Sequence, residues 1–251
     1  MYKYSHLLFT LGSLTILYKI LKNKIQFNVP KIIHQIWFYG DEMPNQFTKN
    51  LLILKNYNTD FDYLLWDENK IKELCIKLKL ENIYDNLEND KEKFEFAKII
   101  IMYQHGGLYI DLNFECLKNF TPLLGGNTFK IGKDNTGKIN NGVWLSTRNH
   151  IILKNCIAII KNNNIQKDIH NIFLETVSNF QKKIIIFDSN IFHPIKKNIN
   201  INLPYNGDET KAKTLKEYNY IVYEKKKQII NDILYGDKNF KNSYTLQHKL
   251  N

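Results

Sequence analysis

The stretch Gly106-Gly107-Leu108-Tyr109-Ile110-Asp111-Leu112-Asn113-Phe114-Glu115 decides how this chain is read. Two adjacent glycines can stop a helix and turn the backbone. The apolar run behind them, Leu108 to Leu112, has the length and character of a buried strand. It leads into Asp111, Asn113 and Glu115, all of which offer oxygen. On an extended segment, residues at i, i+2 and i+4 share one face. Asp111 and Asn113 are therefore expected to approach one point together. Such a cluster suits a hard divalent cation, Mn²⁺ or Mg²⁺, held against a phosphate. Without support from elsewhere in the chain, the same residues would be ordinary strand-end turn formers.

Working outward, Lys91 to His105 supplies the helix that the glycines end, with Asp90 as its expected N-cap. Phe94, Ala97, Ile101 and His105 fall on one stripe, and Glu95, Lys98 and Met102 on a neighbouring one. Glu95 and Lys98 could form an exposed ion pair or turn together toward a ligand. His105 suits a cation at the helix C-terminus. Nearer the N-terminus, Val29 to Trp37 reads as a strand entered through Pro30. A helix over Phe47 to Tyr57 and a strand over Tyr63 to Trp66 follow. Asp67 then caps a helix whose Ile71, Leu74, Cys75 and Leu78 share a face.

Downstream, strands are expected over Gly142–Ser146, Ile184–Phe187 and Tyr218–Tyr223, and helices over Ile151–Lys161 and Lys167–Gln181. Gly125-Gly126, Asp134 to Lys138 and Pro194 to Lys216 read as loops or irregular chain, and Asn140-Asn141 as a turn or a site feature. Strands alternating with helices predict an α/β domain with a mostly parallel sheet flanked by helices. Ligands of such sheets gather outside the carboxyl ends of the strands.

Composition sets the outer limits. The 251 residues are 43% hydrophobic, enough for a sizeable core, with no linker that would divide them. The net charge is +10, from 35 basic and 25 acidic side chains. Arg148 is the single arginine. Base and phosphate forks are usually built from Arg, so a nucleic-acid partner is disfavoured. Cys75, Cys116 and Cys156 are widely spaced and odd in number, giving neither a disulfide framework nor a zinc site. Leu7 to Tyr18 is uninterruptedly apolar and reaches Leu21 if Lys19 snorkels. Residues 1–24 are thus expected to be a single-pass N-terminal anchor ahead of one domain over 25–251. That would tie the protein to a membrane, of Golgi or ER type or a host's if the source is viral. A buried N-terminal helix and a cytoplasmic location are the alternative.

Four ordered blocks resemble glycosyltransferase family 32. They are PKIIHQIWF (Pro30 to Phe38), Leu65-Trp66-Asp67, KFEFAKIIIMYQHGGLYIDLNFECLKNF (Lys93 to Phe120) and INNGVWLSTRNH (Ile139 to His150). Phe192-His193-Pro194 is a fainter echo. The resemblance implies a GT-A-like fold and transfer of a hexosyl group from a nucleotide-diphosphate sugar, UDP- or GDP-linked, to an acceptor hydroxyl. The acceptor would be a glycan, glycolipid or glycoprotein, and anomeric configuration would be retained. Asp111 matches the first Asp of the family's DXD motif, and Asn113 stands at the second, the usual direct metal ligand. Glu95 and Lys98 match an Asp and an Arg that face the nucleotide-sugar. His34, Gln35 and Trp37 would border the base, and Asn140 and Asn141 the sugar or acceptor.

The departures from the family pattern carry their own expectations. The amide at 113 removes a negative charge, which should lower metal affinity unless Glu115 compensates. A third metal contact is open, with Asp188, His193 and His248 as candidates by residue type only. No catalytic base is identified. A degenerate member that binds nucleotide or glycan without turnover is the main alternative, and a basic nucleic-acid or membrane-surface protein a lesser one.

Overall fold

A computed structural model describes residues 29–40, 42–162, 168–193 and 243–247. Its centre is a six-stranded sheet built from β1 (Ile32–Ile36), β2 (Asp62–Trp66), β3 (Gly107–Ile110), β5 (Phe129–Lys133), β6 (Ile139–Ser146) and β7 (Ile185–Phe187), ordered β2-β1-β3-β6-β5-β7. The pairs β1/β2, β1/β3 and β5/β7 are parallel, while β6 runs against both of its neighbours. Five strands therefore point one way and one is reversed. The expected mostly parallel α/β architecture is the observed one. A short β4 (Phe114–Cys116) leaves this sheet and pairs antiparallel with β8 (Thr245–Gln247).

Seven helices accompany the sheet among the described residues: α1 (Asn45–Tyr57), α2 (Glu68–Leu78), α3 (Glu81–Asp85), α4 (Asp90–His105), α5 (Ile151–Asn162), α6 (Ile169–Asn179) and α7 (Ser189–Phe192). Alternation along the strands sorts side chains into two cores. Tyr109, Phe129, Ile131 and Trp144 join the core that includes α2, α4, α5 and α6. Ile33, Leu108, Ile110, Val143 and Leu145 pack with Ile53 and Leu54 of α1 and with Phe114 and Phe120. The three cysteines are sealed in these cores, at 1% exposure or less, and burial pushes each thiol up to about 12.

Local chemistry explains most boundaries. Asp67 caps α2 as expected, its carboxylate accepting from the Lys70 N–H at 2.9 Å. The cap of α4 is Asn89, whose side chain accepts from the Glu92 N–H at 3.0 Å, so Asp90 begins the first turn instead. Gly106 ends α4 with its N–H on the Met102 carbonyl at 3.0 Å. Its φ of +63° and the +109° of Gly107 lie where only glycine is comfortable. A Cβ on Gly107 would stand 2.4 Å from the Ile32 carbonyl oxygen, so this glycine also permits β1 and β3 to pair.

Several expectations change. The strand expected to run through Leu112 stops at Ile110, and the chain turns with the Phe114 N–H on the Asp111 carbonyl at 3.1 Å. The shared extended face of Asp111, Asn113 and Glu115 is therefore replaced by a turn, and Glu115 is buried in β4. Asn140 and Asn141 open β6 rather than forming a turn before it. β4, β5, β8 and α3 were absent from the sequence reading. The expected anchor over 1–24, the irregular Pro194–Lys216 and the strand at Tyr218–Tyr223 lie outside the described residues. No helix among those described is long and apolar enough to cross a membrane.

Candidate active site

The parallel strands deliver polar side chains to one edge of the sheet. Trp37 follows β1, Asp67 follows β2, Asp111 follows β3, Asp134 follows β5 and Asp188 follows β7. Because β6 is reversed, its first residues, Asn140 and Asn141, come to the same edge. β1 leads to β2 on one side while β3 leads away on the other. Adjacent strands whose connections diverge leave a crevice at their carboxyl ends, the usual ligand position in such sheets. Trp37 and Asp111 flank it.

Asp111 sits in a chain of charges. Lys98 Nζ lies 3.0 Å from Glu95 Oε1 and 3.3 Å from Asp111 Oδ1. The Tyr109 hydroxyl donates to the same Asp111 Oδ1 at 2.7 Å. Tyr109 and Asp111 share a strand face two residues apart, and that face meets α4, which carries Lys98. The second oxygen of Glu95, Oε2, accepts from the Asn141 amide and lies 3.4 Å from His170 Nδ1 at the start of α6. Four elements or their ends, α4, β3, β6 and α6, thus converge on one network. Lys98 is 6% exposed, and Glu95 and Asp111 retain 13% and 31% side-chain exposure. The pair at Glu95 and Lys98 is an interior one, not an exposed one.

Electrostatics keeps the network charged. Burial alone would raise the Glu95 carboxyl, but Lys98 and His170 outweigh it and bring it to about 2. Burial would lower Lys98, but Asp111 and Glu95 together raise it above the ordinary lysine value. Burial, then the neighbouring Asp111 carboxylate, pushes the Tyr109 phenol well up, so it remains a donor. Both protein donors to Asp111 use Oδ1. Among the described residues, Oδ2 is left for a ligand.

The other expected site residues divide. Trp37 is partly exposed after β1, its indole N–H on the Gly40 carbonyl at 2.8 Å and its ring edge-on to Tyr39 and Phe47. Asn140 Oδ1 accepts from the Gly142 N–H at 2.8 Å, shaping the entry to β6. His34 is fully buried. Its Nδ1 accepts from the Trp66 indole at 3.0 Å and its Nε2 donates to the Gly106 carbonyl at 2.8 Å, which fixes a neutral ring. Burial takes its pKa down to about 3. His34 is a tie between β1, β2 and the α4–β3 turn, not a wall of the crevice. Gln35 is buried on the opposite face of β1, its Oε1 accepting from the Tyr63 hydroxyl at 2.9 Å. His105 is no helix-end cation, because burial and then Arg148 lower its pKa. Arg148 takes that place, its Nε donating to the His105 carbonyl at 3.0 Å.

Comparison with known proteins agrees with the blocks read from the sequence. Residues 44–130 match the model described as a glycosyltransferase sugar-binding region containing the DXD motif. An uncharacterized glycosyltransferase, L373, of Acanthamoeba polyphaga mimivirus is 30% identical over 200 residues, covering 70% of this chain and 78% of its own. This chain belongs to the DXD-containing glycosyltransferases of the family 32 type. Inositol phosphoceramide mannosyltransferase 1 of Schizosaccharomyces pombe is 25% identical over 138 residues, and this transferase spans 51% of its own length and 42% of that relative's in the match. Among solved structures, PaToxG Glycosyltransferase is similar over 62% of this chain and 70% of that one, at 15% identity and a TM-score of 0.46.

In this transferase the DXD region reads Asp111-Leu112-Asn113. Whether it suits a divalent ion can be judged from its donors. Asp111 Oδ2 is a carboxylate oxygen without a protein donor among the described residues, and Asn113 stands two residues on in the turn, half-buried. Carboxylate and amide oxygens are the ligands that Mn²⁺ and Mg²⁺ take. The donor types fit, although the described residues hold no cluster of three or more His, Cys, Asp and Glu placed for a metal. The sequence reading missed Tyr109 and His170. A tyrosine two before the motif Asp shares its strand face, so Tyr109 could have been found by parity; His170 had no such signal.

Proposed function

We propose that this transferase moves a hexosyl group from a UDP- or GDP-linked sugar to a hydroxyl of a glycan, glycolipid or glycoprotein, with retention of anomeric configuration. The observation that carries this reading is Asp111 at the carboxyl end of β3, clamped through Oδ1 by Lys98 and Tyr109 with Oδ2 without a protein donor among the described residues. Asp111 and Asn113 would hold Mn²⁺ or Mg²⁺ on the donor diphosphate. Bound there, the ion would neutralise charge gathering on the departing diphosphate. Lys98 fixes the Asp111 carboxylate and spreads positive charge beneath it. Glu95, held by Lys98, His170 and Asn141, is poised to accept from sugar hydroxyls and so orient the donor. Trp37, at the end of β1, is the platform for the base. The bond between the anomeric carbon and phosphate oxygen breaks with its electron pair on the diphosphate, the acceptor oxygen takes its place, and the acceptor hydroxyl's proton passes to the departing diphosphate.

The name of the fission-yeast relative suggests mannose as the first donor sugar to try and an inositol-phosphate sphingolipid as the first acceptor. An N-terminal tether over 1–24 would bring the site to such a lipid. A panel of nucleotide sugars, read by release of UDP or GDP with and without acceptor, tests the reading. One donor should stand out, and Asp111→Ala should abolish release. Turnover unchanged in Asp111→Ala would remove the basis of the proposal.

Asn113 motivates a second reading, a member that binds donor without turnover. Calorimetry with Mn²⁺ plus UDP or GDP separates the two: heat of binding with no hydrolysis or transfer for any donor favours the second.

A further inference from the structure

The DXD turn is held from behind by a side chain that the proposed chemistry leaves unused. The Phe114 N–H on the Asp111 carbonyl closes a four-residue turn, with Leu112 and Asn113 at its centre. The two common forms of such a turn differ by a flip of the central peptide. One form keeps a negative φ at the third residue, and the other needs a positive one, which glycine and asparagine accept. Asn113 is therefore a residue that admits both. Here its φ is negative: among the described residues other than glycine, only Lys79 and Asn149 have a positive one. Asn50, in the middle of α1 and fully buried, contacts the peptide that would flip. Its Nδ2 donates to the Leu112 carbonyl, the central one of the turn, at 2.9 Å. Its Oδ1 accepts from Gln46 Nε2, one helical turn back, at 3.2 Å, which leaves the NH₂ end of the amide for that carbonyl. Asparagine is a poor residue for a helix interior, and burying its amide costs free energy unless the amide is bonded. A flipped peptide would carry the carbonyl away from α1 and cost Asn50 this hydrogen bond.

We propose that Asn50 is a positioning residue for the divalent ion: its amide locks the central peptide of the turn in the form that lets Asp111 and Asn113 bind together. The inference rests on the proposed function, in which those two residues are the oxygen ligands. A peptide unit is planar, so fixing the Leu112 carbonyl fixes how the chain enters Asn113. Rotation of that plane would re-aim the Asn113 side chain, while Lys98 and Tyr109 keep hold of Asp111. The two ligands would then part. Asparagine at 113 is what makes a lock necessary, because most side chains would themselves exclude the flipped form. Asn50 acts through the turn and needs no contact with ion or donor.

The test titrates the full chain with Mn²⁺ alone, reading the free ion by its electron paramagnetic resonance signal. Asn50→Leu, similar in size but without a donor, should raise the Mn²⁺ Kd roughly tenfold or more. Asn50→Asp adds a readout that a merely structural role would not move. An ionised carboxylate cannot donate to the Leu112 carbonyl, whereas a protonated one can. The ratio of variant to wild-type Kd should therefore be roughly tenfold or more at pH 8 and fall toward one at pH 5.5. Should Asn50→Leu not fold, the pH series of Asn50→Asp decides. Should neither fold, Gln46→Leu decides; at its half-buried site it should weaken Mn²⁺ binding by roughly threefold, by freeing the Asn50 amide to turn. A folded Asn50→Leu with wild-type Kd, a flat ratio for Asn50→Asp, or an unchanged Kd in Gln46→Leu where it decides, overturns the inference. If Asp111→Ala loses Mn²⁺ in the same titration, the proposed function stands without it. If Asp111→Ala binds Mn²⁺ like the wild type, both are overturned.

Discussion

Lys98 is the residue on which the site turns, because two carboxylates share its charge. Removing one member of a buried ion pair typically costs about 3–5 kcal/mol, since the partners left behind stay desolvated. Lys98→Met should therefore lower unfolding free energy by about 3 kcal/mol in urea titrations and weaken donor binding with it. Asn113→Asp adds a negative charge at the proposed metal position and should tighten Mn²⁺ binding in a calorimetric titration; weaker binding would place that side chain off the proposed ion. Much of this was legible in sequence. Asp111 and Asn113 stand out as a strand-end motif, while a place for Glu95 and Lys98 beside them came from the family resemblance, their helical spacing alone leaving an exposed ion pair open. What could not be read was that Glu95 and Lys98 face inward, because i, i+3 spacing is the same for an exposed pair as for a buried one. His170 was invisible because its contact with Glu95 joins residues 75 apart in sequence.

Among elements, the glycine turn between α4 and β3 and the histidine in β1 act as one joint. Gly107→Ala sets a Cβ against the Ile32 carbonyl at a positive φ and should cost about 3 kcal/mol or more, read as a fall in the thermal midpoint. The Gly106 carbonyl beyond it accepts from His34. His34 also sets a pH dependence. Its folded pKa, about 3, lies below the ordinary value of 6.5, so only the unfolded chain takes up a proton between them. The stability His34 contributes is whole above pH 6.5 and is lost as pH falls toward 3, a loss on the order of 4 kcal/mol. His34→Gln should be less stable at pH 8 yet show a flatter decline from pH 6.5 to 4 in denaturant titrations. The long strands and helices were readable because their apolar periodicity is strong. β4, β5 and α3 were not, since three to five residues carry too little pattern. Asn89 took the α4 cap from Asp90 because both side chains can cap and only geometry chooses.

At the scale of the molecule, the mostly parallel α/β class followed from alternating elements, but the reversal of β6 and the return of β8 to β4 did not. Both depend on pairings between distant segments. That reversal is what carries Asn140 and Asn141 to the edge where Asp111 lies. The packing on both sides of the sheet has a practical corollary in its sulfur. With Cys75, Cys116 and Cys156 enclosed and their thiols held protonated, alkylating reagents should find no target while the chain is folded. Labelling should appear only in step with unfolding, which mass spectrometry across a urea series can follow. The native chain then serves as a silent background into which a single reporter cysteine can be placed on any loop around the crevice.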